Sequence, residues 1–374
     1  MNRTTTALGS VLAALINIIF ALALGGILVA AVGEDPLAAF SVAISGAFGS
    51  LDGFAYTLHY ATNFIFSGLA VAVAAQAMQF NIGGEGQAYI GGLGTMIVCG
   101  LLPWFPWWAA LPLAIIASMA FGAIWAFIPA YMVARRGSHL VITTIMFNFL
   151  ASLLMIYLIV NHFREAGSMI PSSGPIAQNL ELLKFDQILS AFGVDIPESP
   201  LNVMVIVALL ACMAVTFLVW HTRWGYELRA VGANPAAASF AGINVNRIVI
   251  QAVCLSGGLA ALIAVNEIMG AQHRLMLDFA LGYGFTGIAV AMIGANHPAG
   301  IIPAAVLFGA LYQGGASLSF LFPSVSRDVV TVLQGLVILF AGGLTHVLRP
   351  FSIAIVESIF DKCRARKGGV SWNS

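Results

Sequence analysis

The chain has 374 residues, of which 60% are hydrophobic and 8% are charged, whereas ordinary soluble domains carry about 25% charged residues. The chain contains 15 Lys and Arg residues and 15 Asp and Glu residues, so its formal net charge is zero. This composition excludes a water-soluble globular protein. A neutral chain also has no overall field to attract a nucleic acid, which we therefore do not expect as a partner.

Long charge-free apolar runs recur along the chain, and their length predicts membrane-spanning helices. The hydrocarbon core of a bilayer is about 30 Å thick, so each crossing needs about 20 apolar residues. Two runs are long enough for two crossings each and contain a polar or proline-rich break. The first run is expected to be a retained helix rather than a signal peptide. The runs comprise residues 4–33, 53–84, 86–134, 137–163, 199–222, 248–266, 279–326 and 329–348.

These runs predict an all-α polytopic membrane protein that forms a single domain over residues 1–374, with about ten transmembrane helices. The cysteines are scattered, and no Cys/His cluster has metal-ligand spacing. We therefore expect neither a disulfide framework nor a metal site.

Basic residues fall on one side of the predicted membrane topology. Arg3 precedes the first span, Arg135 and Arg136 follow the fourth, and residues 361–374 form a basic tail after the tenth. Because short loops rich in Lys and Arg remain in the cytoplasm, both termini are predicted to be cytoplasmic.

Residues 163–198 are predicted to form an extracytoplasmic cap segment. They include two basic and five acidic residues, which is the charge bias expected outside the cell. An amphipathic middle, from Leu180 to Leu189, predicts one short helix lying along the membrane surface. A variable loop without a specific role is the alternative.

Two short stretches of small residues resemble one another, namely residues 67–70 (Ser-Gly-Leu-Ala) in the second span and residues 256–260 (Ser-Gly-Gly-Leu-Ala) in the seventh. These spans run in opposite directions in the predicted topology. A 5+5 inverted repeat would explain the similarity, as in many transporters. Chance similarity among small residues is the competing explanation.

A glycine-rich stretch around a carboxylate predicts a broken helix at residues 81–87. Each glycine costs about 1 kcal/mol relative to alanine inside a helix, and free backbone groups at membrane depth are tolerated only beside protein or a water-filled cavity. Glu85, near a predicted cytoplasmic end, is either a ligand or gate group in the pathway or a structural carboxylate that caps the amides of its own helix. The pathway candidates in this motif are Asn81, Gly83, Gly84, Glu85, Gly86 and Gln87.

Residues 223–247 form the longest predicted cytoplasmic loop. Within it, residues 235–241 have the composition of a short helix, with Asn234 as N-cap, Pro235 at the first helical position and Gly242 as terminator. A short capped helix between two membrane spans has the shape needed to dock a soluble partner.

The glycine-glutamate motif at residues 81–87 and the loop motif at residues 229–243 together resemble the permease subunits of bacterial ABC importers. The resemblance covers nearly the whole chain and points to the nucleoside and simple-sugar branch, which is related to the ribose and branched-chain amino acid permeases. It implies a multi-pass permease of the bacterial inner (cytoplasmic) membrane. Such a permease would form the translocation pathway for a nucleoside, or for a related purine or simple sugar.

The resemblance also implies partners. The loop would be a coupling helix seated in a cytoplasmic ATPase subunit, an extracytoplasmic binding protein would deliver the solute, and a second, homologous permease would complete a heterodimer. The chain has no Gly-x-x-x-x-Gly-Lys-[Ser/Thr] phosphate loop, so we expect no enzymatic activity and no cofactor in this chain, with ATP used by the separate ATPase. The implied coupling residues are Arg229, Gly232, Asn234, Pro235, Ala237 and Gly242.

Neutral polar side chains inside the spans are candidates for lining the pathway, because a nucleoside or sugar needs hydrogen-bonding groups; they include Asn63, Gln251 and Asn266. The competing interpretation is that each one pairs with a neighbouring helix, a contact worth about 0.6 kcal/mol. The alternative function from another class is a secondary transporter driven by an ion gradient, with Glu85 or Glu267 as its proton site.

Overall fold

A computed structural model of the chain describes residues 16, 19–20, 22–165, 167, 169–191, 193, 197–322, 324–325 and 327–343. Regular structure in these residues is helical, with only isolated β-bridges besides. The first half contains α1 (Leu22–Ala31), α2 (Pro36–Phe48), α3 (Leu51–Ala75), α4 (Gly84–Leu101), α5 (Trp107–Arg136) and α6 (Leu140–Leu158), which continues as a π-helical turn (Ile159–Phe163).

The second half begins with a short 3-10 turn (Gln178–Leu180) and ends with the last described helix. A second π-helical turn, Asn266–Gln272, directly continues α11. The helices are α7 (Phe185–Ala191), α8 (Met204–His221), α9 (Arg223–Ala233), α10 (Pro235–Phe240), α11 (Val245–Val265), α12 (Tyr283–Ile293), α13 (Pro298–Leu321) and α14 (Arg327–Gly343).

Six helical stretches in the described part of the chain are long and apolar enough to cross a membrane, which makes this a multi-pass membrane protein. A seventh span is possible if α1 and α2, which meet at a bend of 119°, count as one broken span. The expectation of about ten spans is therefore not confirmed by these residues. The six are Leu51–Ala75, Trp107–Arg136, Leu140–Phe163, Met204–His221, Val245–Gln272 and Pro298–Leu321.

The two longest apolar runs are each split into two helices, as the sequence predicts. Residues 102–106 separate α4 from α5, and residues 294–297 separate α12 from α13. A proline lies at the start of the helix that follows each break: Pro106 is the N-cap of α5 and Pro298 is the first residue of α13. The basic residues that carried the prediction for the termini, Arg3 and those of residues 361–374, lie outside the described residues.

The chain divides into two compact units. The larger, Ile44–Gly314, contains all the candidate site residues. The other consists of Met1–Ala43 and Gly315–Ser374, and its described part holds a small apolar cluster of Val29, Ala39, Leu318, Val325 and Val330.

At the centre of the larger unit, α3 and α11 pack against one another in opposite directions. The Ser256 hydroxyl of α11 donates to the Ala70 carbonyl of α3 at 2.6 Å. Further along, the Asn266 amide donates to Asn63 Oδ1 at 2.8 Å. Most of α3 and of Val245–Gln272 is buried inside the protein, so these two helices form the core that positions the candidate site.

Close backbone contact joins α11 to α5. A Cβ atom on Gly122 of α5 would overlap the carbonyl oxygen of Gly257 on α11, and one on Gly257 would approach the Gly122 carbonyl oxygen to 2.7 Å. Only glycine fits at such a crossing, and small residues are the usual means of helix packing in lipid, where apolar side chains gain little by leaving the tails.

The cap segment is hydrogen-bonded to the end of the Val245–Gln272 stretch. The Leu182 N–H donates to the Met269 carbonyl at 2.9 Å, and the Ile176 N–H donates to the His273 carbonyl at 2.8 Å. The predicted short helix is present as α7, but Leu180 and Leu182 are buried in the protein. These two leucines therefore pack inward instead of facing a membrane surface.

Candidate functional site

The helix break predicted at residues 81–87 lies directly before α4. The preceding helix α3 ends at Ala75, residues 76–83 form turns and irregular backbone, and Met78 has a left-handed φ of 57°. Asn81 and Gly83 belong to the break, whereas the remaining motif residues, Gly84, Glu85, Gly86 and Gln87, form the first turn of α4.

The Glu85 side chain caps the start of α12. Its Oε1 accepts the backbone N–H of Gly282 and its Oε2 accepts that of Gly284, both at 2.9 Å. Amides at a helix start are unpaired and carry partial positive charge, so a carboxylate there is stabilising. The sequence predicts a cap on the amides of Glu85's own helix, whereas both bonds go to another helix. The reason is that side chains of a helix tilt toward its N-terminus, and here the start of α12 lies in that direction.

Glycines allow the N-termini of α4 and α12 to meet. A Cβ atom on Gly284 would overlap the backbone nitrogen of Glu85, and one on Gly84 would reach the Gly284 Cα at 3.4 Å. The two helix starts therefore touch backbone to backbone. Glu85, which is only 6% exposed, supplies the negative charge that such a junction of two positive helix ends requires.

This junction lies beside the middle of α11 and its π-helical continuation. The Cβ position of Gly84 is 3.8 Å from the Cβ of Ala260, and Ala260 is near the centre of the 28-residue stretch Val245–Gln272. Glu85 thus lies about halfway along a span, not near its end as the sequence suggests. Residues 76–83 bring the chain back toward the middle of α3, since Asn81 and the Ala70 carbonyl of α3 both bond to the Ser256 hydroxyl.

Two asparagines provide hydrogen-bond partners for backbone and side-chain groups around the helix break. Asn81 Nδ2 donates to Ser256 Oγ at 2.8 Å and to Gln87 Oε1 at 3.0 Å. Asn148 of α6 donates to the Ile82 carbonyl and accepts the Gly86 N–H, both at 2.9 Å. Free backbone groups at this depth are thus covered by protein. Asn148 is not in the predicted motif, because its contact bridges 62 residues of sequence.

A second polar cluster forms where α3 meets the π-helical turn Asn266–Gln272. It unites two of the predicted pathway residues, Asn63 and Asn266, with His59, Glu267 and Asn202, all of them buried. Glu267 Oε1 accepts Asn63 Nδ2 at 2.6 Å and lies 3.2 Å from His59 Nε2. A π-helical turn widens the backbone and is frequent at functional sites.

The third predicted pathway residue, Gln251, is not part of this cluster. Its Oε1 accepts the indole N–H of Trp224 at 2.9 Å, so it joins α11 to α9. In the described part of the chain, no group of three or more His, Cys, Asp or Glu side chains could hold a metal ion.

A cavity of about 330 Å³ opens beside the His59–Glu267 pair. Three tyrosines, Tyr56, Tyr60 and Tyr283, line it together with those two residues. The cap segment contributes Lys184 and Glu198, and the two residues that follow it, Ser199 and Pro200, also line the cavity. Cavities of roughly 300–1,000 Å³ with aromatic walls and a few polar groups are typical of small-molecule sites.

The predicted short helix in the 223–247 segment is present as α10. Asn234 is its N-cap and accepts the Ala237 N–H at 3.0 Å, Pro235 is its first residue, and Gly242 follows it with φ +81°. The rest of the predicted loop includes a second helix, α9, which holds Arg229 and Gly232 and begins at the N-cap Thr222. Phe240 at the end of α10 is 94% exposed.

Gly232 places α9 directly against the end of α3. A Cβ atom on Gly232 would overlap the carbonyl oxygen of Gln76, the residue that follows α3. Gln76 in turn donates its side-chain amide to the Asn296 carbonyl beyond α12, at 3.2 Å. The candidate coupling segment therefore contacts the start of the turn, residues 76–83, that separates α3 from α4.

Comparison with known proteins places the chain among transport permeases. Residues 53–342 match the family described as the permease component of the branched-chain amino acid transport system. A guanosine ABC transporter permease of Bacillus subtilis is 34% identical over 89% of this chain and 93% of its own length. A nucleoside ABC transporter permease of Lactococcus lactis is 31% identical over 98% of this chain and 100% of its own length.

A third relative is named for a different solute. A glucose ABC transporter permease of Haloferax volcanii is 33% identical over 87% of this chain and 85% of its own length. No solved structure matches the chain. The family match and these relatives show that the chain belongs to the family of permease components of ABC transporters.

Proposed function

We propose that the chain is the permease subunit of an ATP-driven importer for nucleosides or a closely related sugar-bearing solute. The relatives named for guanosine, nucleosides and glucose support this, since all three solutes carry a ring with several hydroxyl groups. The mechanism depends on one observation, the contact of Gly232 with Gln76. This contact joins α9, which belongs to the segment proposed to bind the ATPase, to the end of α3.

In this proposal α9 and α10 bind a separate ATPase subunit on the cytoplasmic side. Phe240 is an exposed aromatic side chain at the end of α10, and aromatic anchors carry much of the binding energy of protein interfaces. The caps at Asn234 and Gly242 fix the shape of α10. ATP is used by the partner, and this chain binds no cofactor of its own.

Movement of the ATPase would reach the pathway by two direct contacts. Gly232 abuts Gln76 at the end of α3, and Trp224 is hydrogen-bonded to Gln251 of α11. Since α3 and the π-helical continuation of α11 carry Asn63 and Asn266, displacement of the coupling segment would shift both walls of that cluster. A close steric contact passes motion on because packed interiors do not deform continuously.

The remaining partners complete the transporter. A second, homologous permease would form a heterodimer with this chain in the inner membrane of a bacterium, and an extracytoplasmic binding protein would deliver the solute to the cap segment 163–198. Both termini would be cytoplasmic, with the basic tail at residues 361–374. This places α9 and α10 on the ATPase side and the tyrosine-lined cavity on the side of the binding protein.

A 5+5 inverted repeat is part of the proposal. The helices α3 and α11 run in opposite directions, and each is followed by an irregular segment and then by a helix that begins next to a glycine, α4 and α12. The starts of α4 and α12 meet at Gly84 and Gly284. Such half-helices meeting within the membrane are typical of transporters built from inverted repeats.

The test is a solute screen with the complete transporter in proteoliposomes. We expect saturable uptake of labelled guanosine or another nucleoside that is competed by unlabelled nucleosides. Uptake of leucine alone, with no response to nucleosides, ribose or glucose, would contradict the proposed solute class.

A further inference from the structure

The cavity between α3, the π-helical turn Asn266–Gln272 and the cap segment has the composition of a sugar site. We propose that it binds the sugar part of the solute during transport and that Glu267 accepts a hydrogen bond from the 2′- or 3′-hydroxyl of that sugar. The inference rests on the proposed function, to which it adds a location within this subunit and an acceptor group.

Glu267 has acceptor capacity left over from its protein contacts. A carboxylate offers about four acceptor positions. Among the described residues, Oε1 has two neighbours, Asn63 Nδ2 at 2.6 Å and His59 Nε2 at 3.2 Å, and Oε2 accepts Gln272 Nε2 at 2.9 Å. Glu267 also lines the cavity, where its carboxylate is placed to accept a donor from a bound solute. A sugar hydroxyl is a neutral donor that suits a carboxylate.

The polar contacts around Glu267 also fix its orientation. Asn266 Nδ2 donates to Asn63 Oδ1 at 2.8 Å, and Asn202 Nδ2 donates to Asn266 Oδ1 at 2.9 Å. A binding group that is held in place by its neighbours loses little entropy when the ligand arrives.

Tyrosines supply the apolar faces that a sugar or base ring needs. Tyr60 and Tyr283 have ring centroids 6.4 Å apart, and both pack against Tyr312, at 5.6 and 5.9 Å. Tyr56 lines the same cavity. Aromatic side chains with few rotatable bonds offer rigid, flat surfaces beside a hydrogen-bonding group.

The charges around the cavity favour neutral solutes over phosphorylated ones. Among the described residues, two carboxylates, Glu198 and Glu267, line it together with Lys184. A phosphate group would meet like charges there, at a cost in binding. The site therefore suits a nucleoside rather than a nucleotide.

The first test compares guanosine with 2′,3′-dideoxyguanosine in the complete transporter. For Glu267→Gln we expect guanosine uptake below saturation to fall roughly tenfold, the usual size of one charge-assisted hydrogen bond. Uptake of the dideoxy analogue should fall less than twofold. Glu198→Gln, which changes a carboxylate at the same cavity, is the matched control and should affect both solutes equally.

Equal loss for both solutes in Glu267→Gln, or no loss for either, would overturn the inference while leaving the proposed function intact. Failure of the wild-type complex to take up any nucleoside or sugar would instead overturn the proposed function. These two failures are therefore distinguishable.

A second variant decides the question if Glu267→Gln does not assemble or if the binding protein does not deliver the analogue. Ala271 lines the cavity without joining the polar cluster, so Ala271→Leu fills the space. We expect guanosine uptake to be lost while complex assembly and basal ATP hydrolysis persist. Normal uptake by an assembled Ala271→Leu transporter would overturn the inference.

Discussion

Glu85 and Gly284 lie at the starts of two different helices, and the Glu85 carboxylate accepts the Gly284 backbone N–H at 2.9 Å. The same two residues are in backbone contact, because a Cβ on Gly284 would overlap the Glu85 nitrogen. Glu85 thus compensates the partial positive charge of the two helix ends, and Gly284 allows their backbones to touch. This pair holds two helix starts together halfway along the buried helix Val245–Gln272.

Removing the Glu85 carboxylate should destabilise the protein. In Glu85→Ala the amides of Gly282 and Gly284 lose their acceptors, at a cost of about 1–3 kcal/mol for each buried unpaired group. Thermal unfolding in detergent measures the loss. Glu227→Ala, which removes a carboxylate from a pair with the exposed Arg223, should cost less than about 1 kcal/mol. Equal stability of the two variants would contradict the capping role.

Adding one methyl group to Gly284 should prevent the junction from closing. The new Cβ in Gly284→Ala meets backbone that cannot rotate away, so we expect little correctly folded protein by size-exclusion chromatography. Gly100, at the far end of α4, has nothing within 4 Å of its Cβ position. Gly100→Ala should therefore be neutral or stabilise the helix by up to about 1 kcal/mol. A well-folded Gly284→Ala protein would show that the two helix starts do not meet in this way.

Truncating the Phe240 side chain should weaken ATPase binding without destabilising the fold. Its side chain is 94% exposed, so Phe240→Ala should leave thermal stability within about 0.5 kcal/mol of wild type. Loss of an interface anchor typically costs about 2 kcal/mol of binding, and affinity for the ATPase should fall by at least tenfold in a pull-down or titration. Phe240→Leu should retain most of the affinity. Wild-type affinity in Phe240→Ala would remove this residue from the interface.

The cap segment should loosen when its buried anchor is removed. Asn202 pairs with Lys184 of the cap segment in an isolated β-bridge, donates to Asn266 Oδ1 at 2.9 Å and accepts the Met204 N–H at 2.9 Å. Asn202→Ala should therefore expose residues 164–198 to faster cleavage in limited proteolysis, since unpaired buried groups cost about 1–3 kcal/mol. Asn179 also anchors this segment, through the Pro103 and Phe105 carbonyls, but these bonds are exposed to solvent. Cleavage no faster in Asn202→Ala than in Asn179→Ala would contradict the anchoring role.

Local features of the chain were predictable from the sequence, whereas partners distant in sequence were not. Asn234, Pro235 and Gly242 identify α10 because capping depends on neighbours a few residues apart. The break before Gly84 follows from its glycines in the same way. Nothing local indicates that Glu85 binds Gly282 and Gly284, which are nearly 200 residues away.

The pathway candidates show the same limit. Asn63, Gln251 and Asn266 are alike as amides in apolar runs, yet Asn63 and Asn266 meet beside the cavity and Gln251 pairs with Trp224. Which of these amides reach the cavity depends on how α3 and α11 pack against one another, which the sequence does not give. Nothing local indicates the π-helical turn that presents Glu267, and the Met269 carbonyl of this turn accepts the N–H of Leu182 from the distant cap segment.

The energy source of guanosine uptake by the reconstituted transporter decides between an ATP-driven importer and a secondary transporter. With ATP supplied to the ATPase and an uncoupler present to abolish ion gradients, we expect undiminished uptake, and we expect none when the ATPase subunit is omitted. Uptake that persists without the ATPase and collapses with the uncoupler would instead identify a secondary transporter.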